Sequence, residues 1–521
     1  MKHIKKIKLH NFKRFQTFSV DCDDKLNIFI GDNEAGKSSI LSALDIVLSG
    51  SRSKIESIGL DSIFNAEVIQ NFLSDDKKYE NLPVLFVELY LSEQNSPDLN
   101  GKINSDGRTC DGLRLTCEPS DHLSKEINEI LQQEEPNFPF EYYSISFVTF
   151  SGESYTGYRK FLRHILIDNT QISNEYATRA YVKAIYSSNI TDAERNKHQN
   201  EYRKYKDSFR SNILTDLNSR LDNYAFTIRT GSQANLETDL TISENNINIE
   251  NKGKGRQCFI KTEFALKKNN SDKELDVILI EEPENHLSHI NMKKLIRRIS
   301  SSQDRQIFIA THNNLISTRL DLRKSILLNS SSTQPVLLKS LSESTAKYFM
   351  KASNNNILEY VLSKRVILVE GDAEFILMDL FFHKTTGRKL EDSDVHVISL
   401  GGTSFKRFLD IAILLDIRTA VIRDNDGDYD AHCINGYLGY SKPNIGIYFD
   451  TDNSRYTFEI ALYQDNTAIC VELFGHGRRT LSVQEYMLQN KADVAFELLD
   501  KKSDEIVTPS YIREAIEWVI N

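Results

Sequence analysis

Residues 28–41 read IFIGDNEAGKSSIL. An apolar run meets a small polar turn, then Gly36-Lys37-Ser38, then a second apolar run. Gly31 to Ser38 matches the glycine, four residues, Gly-Lys-Ser pattern of a phosphate-binding loop. The free N–H groups of such a loop, and the helix it opens, suit phosphate oxygens. Gly31, Asn33, Gly36, Lys37, Ser38 and Ser39 are therefore the candidates for holding a nucleotide, ATP, with Lys37 on the β/γ-phosphates and Ser38 on Mg²⁺. The following helix is predicted to bury Ile40, Leu41, Leu44, Val47 and Leu48, at helical spacing, and to stop at Gly50.

Two further apolar strands end in polar chemistry. DVILIEEPENHL carries Glu281 and Glu282 to a strand end, one placed to hold Mg²⁺ through water and the other, a catalytic candidate, to orient an attacking water. QIFIATHN ends in Thr311-His312, where the imidazole can sense a γ-phosphate. A helix cap would account for the acids, and a structural role for the histidine. Neither explains the three strand-tip motifs together.

The chain has 521 residues, too many for one core, and two or three domains are expected. With 40% apolar and 26% charged residues it reads as a globular protein. Its net charge of −10 argues against a uniformly basic nucleic-acid coat, though not against a local basic groove. The six cysteines (22, 110, 117, 258, 433 and 470) form no CxxC pair, so a disulfide frame or zinc site is not expected. The basic start MKHIKKIKLHNF has no apolar stretch after it, and the run IAILL is too short to span a bilayer; a cytoplasmic location is expected.

Residues 4–30 and the runs LPVLFVELYL, LRLTCE and YYSISFVTF read as strands. From about 159 the texture becomes helical. Thr191 and Glu194 make a capping box, and Tyr202, Tyr205, Phe209, Ile213, Leu217, Leu221 and Tyr224 recur at three- and four-residue steps. One long amphipathic helix is predicted, either a solvated insert or a DNA-facing or dimer-forming one. Strand texture returns at FTIRTG and LTISENNINIE. After a soft stretch at 329–356 a new α/β rhythm begins, which places a domain boundary near 350–363.

In that second part, RVILVEGDAEFIL is a buried strand ending in Glu370, with Glu374 on the first turn of the next helix. TAVIRDNDGD is another, ending in Asp424 and Asp426, which point the same way if the chain stays extended. Carboxylates at the ends of neighbouring strands make a hard-oxygen site for Mg²⁺ or Mn²⁺. Such a site can generate hydroxide and clamp a phosphodiester. Asp372 and Asp428 read as outer or solvated acids.

The strand-tip set of the first part resembles the ABC-type ATPase heads of the SMC and RecF kind. In those heads two copies sandwich ATP, and a signature segment of one meets the γ-phosphate of the other. NKGKGRQ resembles that segment, with Gly253 and Gly255 in place but Lys254 where the family has serine. Lys254 and Gly255 are thereby nucleotide candidates, and the departure puts ATP turnover, not binding, in question. No Q-loop glutamine is evident, and the insert is far shorter than a long coiled-coil arm. The EGxxE and DxD pair, with VISLGGTSFKRFLDIAILLDI between, resembles a TOPRIM domain as found in OLD (overcoming lysogenization defect) nucleases. That resemblance adds Glu459 as a ligand for a second metal and Lys491 as a catalytic residue beside Glu370 and Asp424.

The implied architecture is α/β: an ABC-type P-loop ATPase domain at 1–350 with a helical insert at about 159–226, then a Rossmann-like TOPRIM domain at 351–521. The resemblance covers nearly the whole chain. It implies a metal-dependent DNA endonuclease or nickase gated by ATP, of the kind seen in Gabija-type and retron-associated anti-phage defence. One ion would sit with the nucleotide and one or two at the TOPRIM site. It also implies a homodimer or higher oligomer, and a helicase or reverse transcriptase encoded nearby. Basic candidates for DNA are KKNNSDK, Lys293, Lys294, Arg297, Arg298, Arg478 and Arg479. The alternatives are a non-catalytic ABC switch that docks a DNA-processing partner, and a topoisomerase- or primase-like enzyme. The latter lacks room for a DNA-gate domain or a zinc module.

Overall fold

The computed structural model describes every residue except 1, 76, 135, 158–159, 170–174, 230–234, 268–274, 303, 330–331, 353–355 and 476–480. Strands β1 (Ile4–Phe12) and β2 (Phe15–Asp21) lead into β3 (Leu26–Gly31). Then come β4 (Leu85–Leu91), β5 (Asn100–Gly101), β6 (Cys110–Pro119), β7 (Tyr143–Thr149) and β8 (His164–Asp168). A short hairpin, β9 (Ser243–Glu244) and β10 (Ile247–Asn248), precedes β11 (Val277–Glu281), β12 (Gln306–Thr311), β13 (Ser325–Asn329) and β14 (Ser332–Leu337). The last four strands are β15 (Arg365–Val369), β16 (Val395–Ser399), β17 (Arg418–Ile422) and β18 (Ile445–Tyr448).

The chain divides into two compact units, residues 1–320 with 324–335, and 321–323 with 336–521. The boundary lies before the expected 350–363. The helix Glu343–Lys351 belongs to the second unit because its Phe349 stacks edge-on against Phe408 (5.1 Å) and Thr345 bonds Asp410 (2.7 Å).

The first unit holds two sheets. An antiparallel sheet runs β2-β1-β4-β6-β5, with β7 on β6. The second runs β14-β13-β3-β12-β11-β8, and its five strands from β13 to β8 pair in parallel. Their cores are continuous apolar runs, as expected of strands covered on both faces. The helix Lys37–Ser49 buries the five residues expected of it, and ends at Gly50 in the left-handed region (φ 55°).

The reading of helix from residue 159 is corrected by β8. HILID pairs with β11 from His164↔Val277 to Asp168↔Glu281. His164 Nε2 lies 2.9 Å from Asp45 of the P-loop helix, a bond that pins this edge strand. The helices Glu175–Ser188 and Asp192–Asn212 follow, the second with the expected Thr191–Glu194 capping box. That helix stops at Asn212 rather than running to Tyr224. Ser211 and Thr215 turn their hydroxyls back onto the carbonyls of Asp207 and Ser211 and compete with the helix ladder. FTIRTG forms no strand over its described residues; Asn218 brackets the backbone of Phe226 instead (2.7 and 3.0 Å).

The second unit is built on a parallel sheet of order β16-β15-β17-β18. The chain leaves β15 toward β16 and leaves β17 toward β18, in opposite directions. A crevice therefore opens at the C-terminal ends of β15 and β17, where open α/β sheets place their ligands. Among the described residues, no helix is long and apolar enough to cross a membrane.

Candidate functional site: a nucleotide loop and a carboxylate crevice

The first site gathers at the C-terminal ends of β3, β11 and β12. Gly36 sits at φ 92°, and a Cβ there would stand 2.4 Å from the Phe15 ring. At Gly31 a Cβ would stand 2.3 Å from the carbonyl of Leu328. Both positions thus require glycine, one for conformation and one for space. Lys37 is 7% exposed, and its ammonium donates to the carbonyls of Gly31 (2.6 Å) and Asp32 (2.7 Å). Burial lowers its pKa, against the pull of Glu282 and three other acids. A buried cation satisfied by its own loop's carbonyls fits a phosphate that would replace them. Asn33 and Ser38 are exposed and Ser39 half-buried.

Glu281 closes β11, and burial raises its pKa while a hydrogen bond from Ser38 works against it. Ser38 and Glu281 are the residues that would hold the nucleotide's ion. Glu282 turns at φ 43° and lies 3.3 Å from Nδ1 of the half-exposed His312. Lys254 is exposed on the first turn of the helix Lys254–Leu266, capped by Gly253. Gly255 packs against the loop after β11.

Three residues here escaped the sequence. Asn169, fully buried just after β8, donates its N–H to Glu281 O and its amide to Glu282 O, both at 3.4 Å, and among the described residues its Oδ1 has no partner. Arg14 reaches the carbonyls of Glu34 and Asn329. Glu284 is buried under Thr311 and His312. Asn169 and Arg14 bear no motif, and Glu284, though within EEPENHL, shows its burial only once β11 and β12 are paired.

The second site lies in the crevice of β15 and β17. Glu370 follows β15, and among the described residues its buried Oε2 has no partner. Glu374 is 5% exposed on the first turn of the helix Asp372–Thr386. Asp424 follows β17, and its Oδ1 accepts the N–H of Phe458 at 2.8 Å. Glu459 is 3% exposed, bonded by Lys491 Nζ at 3.0 Å, with its Oε2 also partnerless. The hydroxyl of Thr457 is buried and partnerless too.

These acids crowd one another. Burial, then the charges of Glu374, Glu370 and Glu459, push Asp424 up to about 8. Burial, then Glu459 and Glu370, push Glu374 up to about 7. Burial and Asp426 raise Glu370. For Lys491, burial works downward, but Glu459 outweighs it and its pKa is raised. Like charges held together in a half-dry crevice, with spare oxygens, fit a hard divalent cation. Glu370, Glu374, Asp424 and Glu459 would hold it, although among the described residues no three acidic, histidine or cysteine groups stand close enough as placed to grip an ion.

Asp426 reaches this group by charge, as the first charge that raises Glu370, while its carboxylate is held by Arg423. The backbone leaves the extended form at Asp426 (φ 53°), and the side chain pairs with Arg423 at 2.8 Å, half in solvent. The alternation argument for Asp424 and Asp426 fails because β17 ends at Ile422. Asp372 accepts a long bond from Ser399 (3.4 Å), and Asp428 caps Ala431. Lys293, Lys294, Arg297 and Arg298 are exposed on the helix His289–Ser301, Arg298 paired with Glu263 at 3.0 Å. Arg478, Arg479 and most of KKNNSDK lie outside the described residues. Among the described residues no disulfide joins the six cysteines.

Residues 1–316 match the AAA ATPase domain family, and residues 361–426 match the TOPRIM domain of overcoming lysogenization defect protein-like proteins. No curated protein matches the chain. Among solved structures, the SMC head domain from Thermotoga maritima is 14% identical over 63% of this chain and 94% of that one, with a TM-score of 0.29. An SMC head bound to the C-terminal winged-helix domain of ScpA is 14% identical over 62% and 94%, with a TM-score of 0.33. An SMC head with an extended coiled coil, bound to the C-terminal domain of ScpA derived from Pyrococcus furiosus, is 12% identical over 64% and 95%, also at 0.33. The first match alone spans more than half of the chain, which therefore belongs to the AAA ATPase domain family and, through its second match, is an OLD-family ATPase–TOPRIM fusion.

Proposed function

We propose that the protein is a metal-dependent DNA endonuclease or nickase whose activity is gated by ATP at the first site. The observation that carries this reading is the crowding of Glu370, Glu374, Asp424 and Glu459 at the switch point of a parallel sheet, with carboxyl oxygens buried and unspent. A divalent cation there would supply Lewis acidity and lower the pKa of water. Glu370, Glu374 and Asp424 would hold it, and Glu459 would be available to a second one. Lys491 is placed to offset charge that gathers on the phosphorus oxygens. Glu282, beside His312, is the residue that orients water at the nucleotide.

An anti-phage defence role, a cytoplasmic location, and a partner helicase or reverse transcriptase belong to the same reading, on the strength of the resemblance to OLD nucleases. So does an oligomer. Tyr205, Phe209 and Ile213 lie four residues apart on the helix Asp192–Asn212 and just beyond it, all exposed, Tyr205 at 74%. An apolar stripe of this size on an insert suits a second copy of the chain.

The test is cleavage of supercoiled plasmid by the purified protein with Mg²⁺ or Mn²⁺, with and without ATP, beside Asp424→Ala. Metal-dependent nicking that vanishes in the variant is expected, and the ATP lanes give the sign of the gate. Cleavage that persists in Asp424→Ala sinks the assignment of the crevice. A variant that keeps its biological effect without cleavage favours the non-catalytic switch.

A further inference from the structure

The loop after β11 is gripped from two sides. On one side stands Glu284, 8% exposed. Its Oε1 accepts from the Thr311 hydroxyl at 2.6 Å and from the His312 N–H at 3.1 Å, and His312 Nδ1 lies 3.6 Å from the same oxygen. Its Oε2 is buried, and among the described residues no donor reaches it. A carboxylate oxygen left this way is costly, and folds keep one where a function uses it. On the other side, Gly255 leaves no slack: a Cβ there would stand 2.0 Å from the carbonyl of His286. Cys258, one turn on, lies 3.8 Å from the carbonyl of Pro283. Between them the loop is kinked at Glu282 (φ 43°) and His286 (φ 64°) and closed by Leu287 N–H on Glu284 O (3.1 Å).

We propose that Glu284 is a positioning residue of the nucleotide site, which fixes His312 at the end of β12 and, through the loop Glu282–Leu287, ties that histidine to the first turn of the helix Lys254–Leu266. Glu284 does not touch the nucleotide. It sets where His312 points, and so how well the site tells ATP from ADP. Because Gly255 meets His286 without a gap, a shift of His312 toward a terminal phosphate moves the backbone that carries Lys254. The inference rests on the reading of the first site as an ATP site.

The experiment titrates methylanthraniloyl-ATP and methylanthraniloyl-ADP, with Mg²⁺, into the full chain and into Glu284→Gln, Thr311→Val and Lys37→Ala. Glu284→Gln keeps the acceptor for Thr311 and removes the charge beside His312. It is expected to hold ADP within about threefold of wild type and to lose about tenfold of the preference for ATP. Thr311→Val, which removes one donor to the same oxygen, shifts the preference the same way but less, and carries the test if Glu284→Gln does not fold. Amide exchange at residues 253–258 slows with ATP and not ADP in wild type, and loses that difference in Glu284→Gln. An unchanged ATP preference in Glu284→Gln overturns the inference, as does equal weakening of ATP and ADP. If wild type binds neither nucleotide, or Lys37→Ala binds both as wild type does, the ATP-site reading itself falls.

Discussion

The Lys491 ammonium lies 3.0 Å from Oε1 of Glu459, while Oε2 of the same carboxylate is buried with no partner. Glu459 is therefore half-spent on an internal cation and half-available to another. Lys491→Ala frees it. Cleavage of plasmid is expected to fall by about 100-fold, the scale of losing one charge-stabilising group. Mn²⁺ affinity, measured by calorimetry, stays level or tightens, because no ammonium competes for the carboxylate. A loss of metal binding along with cleavage would instead make Lys491 a structural support of the crevice.

Asp424 and Glu374 set a pH dependence with a definite sign. Their pKa values, about 8 and about 7, lie above the ordinary 3.8 and 4.5. Without metal the folded chain binds these protons more tightly than the unfolded chain. Their stabilising contribution is complete below about pH 4, drains away as pH rises from there, and is gone once pH has passed through 7 to 8. Asp424→Asn should thus raise the melting temperature of the metal-free protein above about pH 8, with the gain shrinking toward about pH 5. Metal must displace those protons, so Mg²⁺ or Mn²⁺ affinity falls as pH drops below the same window. A melting difference that does not vary with pH would contradict the crowding of these acids.

Lys37 donates to two carbonyls of its own loop. A phosphate takes over those bonds as charge-assisted ones, worth about 1.5–3 kcal/mol each. Lys37→Ala is expected to weaken ATP binding by at least about 100-fold, read by equilibrium titration. In the plasmid assay the same variant cuts identically with and without ATP. Any ATP response that survives places the gate elsewhere.

Gly36→Ala forces a side chain into the left-handed region, at a cost of about 1–2 kcal/mol, and drives its Cβ against Phe15 and Arg14. A lower melting temperature and lost nucleotide binding should appear together. Gly107, with φ 62° and open space around it, is the control: alanine there carries the backbone strain alone.

Replacing Tyr205, Phe209 and Ile213 by serine removes an exposed stripe that supports no core. If that stripe joins two copies, light scattering shows a smaller particle with an unchanged far-ultraviolet spectrum. An unaltered mass would return the insert to a solvated helix.

What the sequence by itself determined is local. GDNEAGKSS between an apolar strand and an apolar helix, EE after VILI, and EG and DND after their own strands are each legible within a dozen residues. Strand, turn and helix periodicities, and the backbone needs of glycine, act over that range. Pairing, burial and direction do not. HILID is a strand only because β11 accepts it, and the helical texture beyond it hid that partner. Asp424 and Asp426 look equivalent in a row, yet a positive φ sends one to the crevice and the other to Arg423. Glu282 and Glu284 are two acids of one motif until packing buries the second beneath Thr311. Lys491 gains its meaning from Glu459, thirty-two positions earlier, by a contact that no periodicity encodes. Tertiary structure decided these points because a carboxylate's charge, proton and partner depend on what surrounds it, and what surrounds it comes from distant parts of the chain.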